Sequence, residues 1–460
     1  MKDLKSDNPI KKFEQFTNSE RMKAVFQQRL PEFSQGKLII THCKIEYTRY
    51  KNFEKERSRK KTSLSVYYHL QVTDTCRQRN GAQIFYAKTY LEGRSEIEFQ
   101  KARTAQLTPP EFGEALVHLP DLGMIVWAFP NDPALCHLHE VIDPKRVKHY
   151  LPYDMLPSGL DGPKDVTDVK VDVIRYKPEV RCITRYKLQW GPSDRPQTLK
   201  LYGKTFKHDW GQDIYCRIEN LWKRSLENPE GFIVTQPLGY NKIVKTVWQV
   251  AMPGVPLINI INRTNYKEFL EYIAKGLAYL HKSDISSPIR MEIKDHLDAT
   301  REGTGVLMQA FPQFKGSLQS IVLSLEKSAP FLTPIQDRLI HGDFLMKQLV
   351  IHEGRIGVFD FDDFAIGDPI QDIANFIMDL HFQGFDSSLV DLMVNTFFSS
   401  YRSQVDWEVP VDRLVWHIRV QFMHEAYYFY KRKHLQPGFD DEIQHIISLA
   451  QKGMVLEIDY

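Results

Sequence analysis

The sequence predicts an α+β chain in which two β-rich segments precede a mainly helical one. Across residues 37–90, β-branched and aromatic residues gather in Lys37-Leu38-Ile39-Ile40, Leu64-Ser65-Val66-Tyr67-Tyr68 and Ile84-Phe85-Tyr86. That composition suits pleated, partly buried strands. A similar pattern returns in the same order across residues 171–206. From residue 266 the apolar period changes: Phe269, Leu270, Tyr272, Ile273, Leu277 and Leu280 recur at helical spacing.

A chain of 460 residues exceeds one ordinary domain. Hydrophobic residues make up 42% and charged residues 26%, the balance of a water-soluble globular protein. A net charge of +2 gives no attraction toward nucleic acid or an anionic membrane. The first residues, Met1-Lys2-Asp3-Leu4-Lys5-Ser6-Asp7, lack the apolar core of a signal peptide. No apolar run approaches the roughly 18 residues of a membrane helix. The five cysteines (Cys43, Cys76, Cys136, Cys182 and Cys216) are odd in number and scattered. They read as reduced thiols in a cytoplasm, not as a disulfide framework or a zinc site.

Taken in order, a polar lead runs into a short helix over 19–30. The charged run at 51–61 contains Glu54 and Glu56 among its lysines and arginines, so it reads as a solvated loop and not as a nucleic-acid patch. Residues 45–51 (Ile-Glu-Tyr-Thr-Arg-Tyr-Lys) are matched by 171–177 (Val-Asp-Val-Ile-Arg-Tyr-Lys), and 86–90 (Tyr-Ala-Lys-Thr-Tyr) by 202–206 (Tyr-Gly-Lys-Thr-Phe). Two related antiparallel sheets in tandem would explain this, against chance similarity of two Tyr-rich strand regions; sheets of different strand order would exclude the first reading. Prolines and glycines between 151 and 163 suit a linker. The expected organisation is a β-rich N-terminal cap at 1–150, a linker at 151–165, a second β-lobe at 166–256 and a mainly helical lobe at 257–460.

The chemistry concentrates in two neighbouring runs. The first is Leu339-Ile340-His341-Gly342-Asp343-Phe344-Leu345-Met346-Lys347-Gln348, and the second Gly357-Val358-Phe359-Asp360-Phe361-Asp362-Asp363. A carboxylate on a loop, an amide five residues later and a second carboxylate after a short hairpin form a set of hard oxygen ligands. Such a set can orient an attacking hydroxyl and hold magnesium against a triphosphate. Asp343, Gln348 and Asp360 supply it.

These runs, with Gly367-Asp368-Pro369-Ile370-Gln371-Asp372-Ile373-Ala374, resemble the aminoglycoside phosphotransferase and choline kinase family of the protein-kinase-like superfamily. The resemblance implies a two-lobed protein-kinase-like fold with an additional N-terminal cap, and ATP and magnesium as donor and metal. It makes Asp343 the catalytic carboxylate, Asp360 and Gln348 the metal ligands, and Asp372 a brace for the catalytic loop. The family usually has Asn where this chain has Gln348, and Gln at that place is similar to the maltokinase-like branch. A small-molecule acceptor, a sugar or amino sugar, is therefore favoured over an aminoglycoside drug, choline or a protein.

Kinase-like folds also place a phosphate-gripping lysine on the third strand, oriented by a glutamate on the next helix. By that resemblance Lys204 is the lysine, with Lys200 its rival, and Glu219 is its partner. The segment 176–182 (Tyr-Lys-Pro-Glu-Val-Arg-Cys) would form the turn over the phosphates, though it lacks that loop's glycines. Residues 248–257 would form the hinge. The rival class is a nucleotide-binding pseudokinase acting as a scaffold, for which Gln348, Glu179 and the extra cap speak.

Other motifs are weaker. Cys136-His137-Leu138-His139-Glu140 would place two histidines on one face of a strand, without further ligands nearby. The chain contains no G-x-x-x-x-G-K-[ST] phosphate loop and no G-x-S-x-G elbow.

Overall fold

A computed structural model describes residues 13, 15–51, 62–91, 93–227, 231–433 and 439–452. The polar lead and most of the charged run at 51–61 lie outside the described residues. The chain divides into two compact units. One comprises Met1–Gly211, Gly239–Trp248 and Lys431–Pro437; the other comprises Gln212–Leu238, Gln249–Tyr430 and Gly438–Tyr460.

The first unit begins with helix α1 (Ser19–Arg29), whose N-terminus is capped by Asn18 accepting from the Arg21 N–H. Three long strands follow, β1 (Leu38–Lys51), β2 (Ser63–Asp74) and β3 (Arg79–Tyr90). Helix α2 (Arg94–Ala102) comes next, and then β4 (Leu116–Leu119) and β5 (Met124–Ala128). Strand alternation sends Tyr68 and its cross-strand neighbour Phe85 to one face, and Tyr67 and Tyr86 to the other. On the first face Phe26 of α1 packs edge-on against Tyr68 and Phe85, with centroids 5.0 and 5.5 Å apart. The buried Tyr68 hydroxyl donates to the Phe16 carbonyl at 2.6 Å, so its polar end is satisfied.

After Cys136 the chain forms the short helix α3 (Leu138–Ile142) with His137 before its first residue, not a strand on which His137 and His139 would share a face. A second sheet is built from β6 (Val166–Lys177), β7 (Arg181–Trp190), β8 (Gln197–Phe206), β9 (Pro237–Asn241) and β10 (Thr246–Val250). The strand orders are β1-β2-β3-β5-β4 and β6-β7-β8-β10-β9, the same path in both sheets. In both, a helix also separates the third strand from the fourth in chain order. The second face of the first sheet meets β6 and β7 through an apolar cluster of Tyr67, Ile84, Phe129, Tyr176, Cys182 and Leu138. The buried Tyr186 hydroxyl donates to the Val141 carbonyl at 2.9 Å, tying α3 to β7.

The second unit contains α4 (Gly211–Glu227), followed by β11 (Val255–Pro256), α5 (Tyr266–Lys282), β12 (Arg290–Met291), α6 (Ile293–Ala310) and α7 (Lys315–Ser328). After these come β13 (Arg338–Ile340), β14 (Leu349–His352), β15 (Arg355–Val358), β16 (Ala365–Gly367), α8 (Ile370–Leu380), α9 (Ser387–Gln404), α10 (Val411–Lys433) and α11 (Phe439–Lys452). Helix α5 matches its sequence period: Leu270, Ile273, Leu277 and Leu280 are buried, and α5 packs against α9. The expected hairpin is the antiparallel pair β14–β15, turning at Glu353 and Gly354. Both turn residues have positive φ (50° and 70°), the backbone twist that a two-residue hairpin favours. Among the described residues no helix is long and apolar enough to cross a membrane.

Phe26 joins the covering helix to the first sheet through Tyr68 and Phe85. Replacing Phe26 with Ala is expected to destabilise that unit by about 3–5 kcal/mol, measured as a shift of its urea transition.

Candidate active site

The loop between β13 and β14 is shaped from below by helix α8. Asp372, fully buried, accepts the backbone N–H of His341 at 2.6 Å on one oxygen and that of Gly342 at 2.9 Å on the other. His281 of α5 donates to the same carboxylate at 3.2 Å, and its second ring nitrogen accepts from the Tyr401 hydroxyl at 2.7 Å. Gln371 and Asn375 each donate to the Gly342 carbonyl at 3.0 Å. One helix therefore satisfies both the N–H and the C=O of the residue before Asp343.

Gly342 has φ +87°, and a Cβ there would stand 2.3 Å from the Asp363 carbonyl oxygen. Only glycine fits this position. One turn further along α8, Asp379 accepts the Met346 N–H at 2.8 Å, fixing the far side of the loop.

Asp343 and Gln348 are brought together. Gln348 is buried and its amide is engaged at both ends: its oxygen accepts the Leu345 N–H at 2.9 Å, and its nitrogen donates to an Asp343 carboxylate oxygen at 3.0 Å. The amide oxygen keeps a second lone pair, so a metal ligand at Gln348 would share that oxygen with Leu345. Burial pushes the Asp343 carboxyl above its ordinary range. Lys347 and His341 oppose the rise, nearby Asp363 adds to it, and the Gln348 hydrogen bond opposes it.

Asp360 lies just past β15. The preceding residue, Phe359, donates its N–H to the Gln348 carbonyl at 3.2 Å, and its own carbonyl accepts from His341 at 3.1 Å. Two bonds thus place the end of the hairpin beside the loop that carries Asp343. Asp360 adopts the left-handed conformation (φ 71°, ψ 51°), which Asp tolerates better than most residues. Such local strain persists where the surroundings enforce it, often at functional sites.

The donor set is two carboxylates and one amide oxygen. This suits a hard cation that takes its remaining ligands from water and phosphate oxygens. Among the described residues no group of three or more His, Cys, Asp or Glu side chains could hold a metal ion.

Lys204 stands on β8 in the first unit, opposite Ile183 of β7, half-buried with its ammonium 5.6 Å from the Phe206 ring. Its rival Lys200 is exposed. Glu219 stands on α4 in the second unit, accepting from the Tyr215 hydroxyl at 3.1 Å and pairing with Lys223 at 3.3 Å.

Asp372 braces the loop as the resemblance implied, while other residues of the site escaped the sequence reading. Asn375 and Asp379 continue a polar stripe from Asp372 at intervals of three and four residues, a periodicity that was available to find them. His281 offered no such signal, because it closes a helix whose pattern already explained itself. Asp368 caps α8 by accepting the Ile370 N–H at 3.0 Å, while its other oxygen accepts from Arg413 at 2.7 Å and His417 at 2.8 Å. Burial alone would raise the Asp368 carboxyl, but His417 and Arg413 hold it well below the usual range. Beside this pair, the buried His296 of α6 packs against the half-buried His424 of α10. Burial, reinforced by neighbouring histidines, lowers their pKa values to about 3 and about 4.

Comparison with known proteins adds the following. Residues 250–407 match the family described as phosphotransferase enzyme family, APH. Among curated proteins none matches the chain. Of solved structures, an amicoumacin kinase, hAmiN, in complex with AMP-PNP, Ca2+ and Ami, is 13% identical with a TM-score of 0.45, over 63% of this chain and 90% of its own. The aminoglycoside phosphotransferase APH(4)-Ia, in ternary complex with AMP-PNP and hygromycin B, is 14% identical with a TM-score of 0.45, over 63% and 94%. A choline/ethanolamine kinase family protein from Mesorhizobium loti is 12% identical with a TM-score of 0.38, over 58% and 85%.

Two predictions follow from the buried polar groups. Asp372→Ala leaves two loop N–H groups and His281 without their acceptor and is expected to cost about 3–5 kcal/mol, read as a lowered denaturation midpoint. The acid dependence has a definite sign. The folded-state values of His296 and His424 lie below the ordinary 6.5, so the unfolded chain takes up protons first. Stability present above that value should fall as pH drops toward about 4, and His424→Gln should flatten the slope in urea titrations across that range.

The chain has a mixed helix-and-sheet fold, and residues 250–407, which hold Asp343, Gln348 and Asp360, match a family of phosphotransferase enzymes.

Proposed function

We propose that this chain transfers the γ-phosphoryl group of ATP to a hydroxyl of a small molecule, with a sugar or amino sugar as the favoured acceptor class. The observation that carries the reading is the placement of Asp343. It is a carboxylate of raised proton affinity, held by Gln348, on a loop to which Phe359, the residue before Asp360, is bonded, inside the segment that matches the phosphotransferase family. The acceptor oxygen forms a bond to the γ-phosphorus as the bond to the ADP oxygen breaks, and the hydroxyl proton passes to Asp343. A magnesium ion held by Asp360 and Gln348 would neutralise the triphosphate charge. Lys204 is proposed to hold the phosphates, with Glu219 as its orienting partner.

The preference for sugars rests on Gln348, which is similar to the maltokinase-like branch. Relatives with a related fold include kinases solved with amicoumacin and hygromycin B, so aminoglycosides belong among the alternatives, with choline. The N-terminal cap at 1–150 is proposed to be a non-catalytic, degenerate second copy of the nucleotide lobe, supported by the identical strand order of the two sheets. A cytoplasmic location is part of this proposal. One observation favours a second reading, a nucleotide-binding pseudokinase scaffold: the Gln348 oxygen already accepts the Leu345 N–H.

Magnesium-dependent ATP consumption separates these readings. Over a panel of sugars, amino sugars, aminoglycosides and choline, one acceptor class should stimulate turnover, and Asp343→Asn should reduce it by about a hundred- to ten-thousand-fold. Nucleotide binding without acceptor-stimulated turnover would support the scaffold.

A further inference from the structure

The turn joining β6 to β7 is not held by its own sheet alone. Glu179, at its tip, adopts positive φ (58°), a conformation that a non-glycine residue keeps only when its surroundings enforce it. Two residues from the first half of the unit do so. Asp132, almost fully buried after β5, accepts the Glu179 N–H at 2.9 Å and the Tyr176 hydroxyl at 2.6 Å on one carboxylate oxygen. Its other oxygen accepts the N–H groups of Ala134 and Leu135 at 2.7 and 2.8 Å. Lys88 of β3 donates to the Glu179 carboxylate at 2.7 Å, with both side chains 13% exposed.

Lys88 can reach the turn because strand alternation puts it on the same face as Ile84 and Tyr86, and Ile84 belongs to the apolar cluster that meets β6 and β7. By the internal repeat, Lys88 also occupies the place in the first sheet that Lys204 occupies in the second. The lysine that a nucleotide lobe would direct at phosphate is here directed at a carboxylate of the neighbouring sheet. A pair this shielded from water is far more directional than a surface ion pair.

We infer that Lys88 and Asp132 are positioning residues that set the β6–β7 turn for the triphosphate, so that the N-terminal cap controls nucleotide affinity while touching neither nucleotide nor acceptor. This rests on the proposed function, in which that turn covers the phosphates. A preset turn spares the nucleotide the cost of ordering it.

The test is calorimetric titration of the full chain with magnesium and a non-hydrolysable ATP analogue, alongside thermal melts. Lys88→Met should weaken nucleotide binding about tenfold, and Lys88→Arg should restore most of it. The double variant Lys88→Met with Glu179→Gln removes both charges. Its melting temperature should return toward the wild-type value while its nucleotide affinity stays low, a split that a merely structural pair would not produce. If wild type binds and the single and double variants bind equally well, the inference is wrong while the proposed function stands. If wild type itself fails to bind nucleotide, the proposed function falls and the inference falls with it.

Discussion

The candidate site depends on one buried carboxylate. Asp372 takes two consecutive backbone N–H groups of the loop that carries Asp343 and a histidine side chain, in an interior where each of those donors would otherwise lack a partner. The two N–H groups point at it only because Gly342 turns through positive φ beneath the Asp363 carbonyl. Direction of the chain at Gly342 then decides where Asp343 goes. The charge on Asp372 is thus spent on geometry, and the neighbouring Asp343 is left with a single side-chain hydrogen bond, from Gln348, among those resolved at its carboxylate.

The helix that supplies Asp372 works along its whole length. Asp368 caps its start, Gln371 and Asn375 take the Gly342 carbonyl, and Asp379 takes the Met346 N–H. A rigid helix spaces these groups at fixed intervals, so one element sets several loop atoms at once. The arrangement has a cost. Asp368 draws His417 and Arg413 inward, and His296 and His424 sit uncharged beside them. Burying ionisable groups is unfavourable, and the fold holds them neutral or paired.

In the first unit the organising constraint is alternation. Strands β2 and β3 of the first sheet send alternate side chains to the core under α1 and to the cluster with the second sheet, so Phe85 faces Phe26 while Ile84 faces the cluster with Tyr176. A sheet with both faces covered in this way becomes a scaffold for its neighbour. The β6–β7 turn is shaped by groups that lie far earlier in the chain.

Features that depend on local periodicity and short spacing were legible before folding. The strand-rich and helical segments, helix α5, the hairpin after Gln348 and the pairing of Asp343 with Gln348 all follow from patterns within a dozen residues. The internal match of 45–51 with 171–177 likewise led to two sheets that turned out to share one strand order. Tertiary structure alone decided the rest. His281 meets Asp372 across 91 residues, Lys88 meets Glu179 also across 91, and His417 meets Asp368 across 49. No local pattern encodes such partners, because a charged or polar side chain reads the same in sequence whether water or a distant residue satisfies it. After Cys136 the local pattern was equally silent: α3 forms there with Leu138 and Val141 packed in the cluster that meets the second sheet.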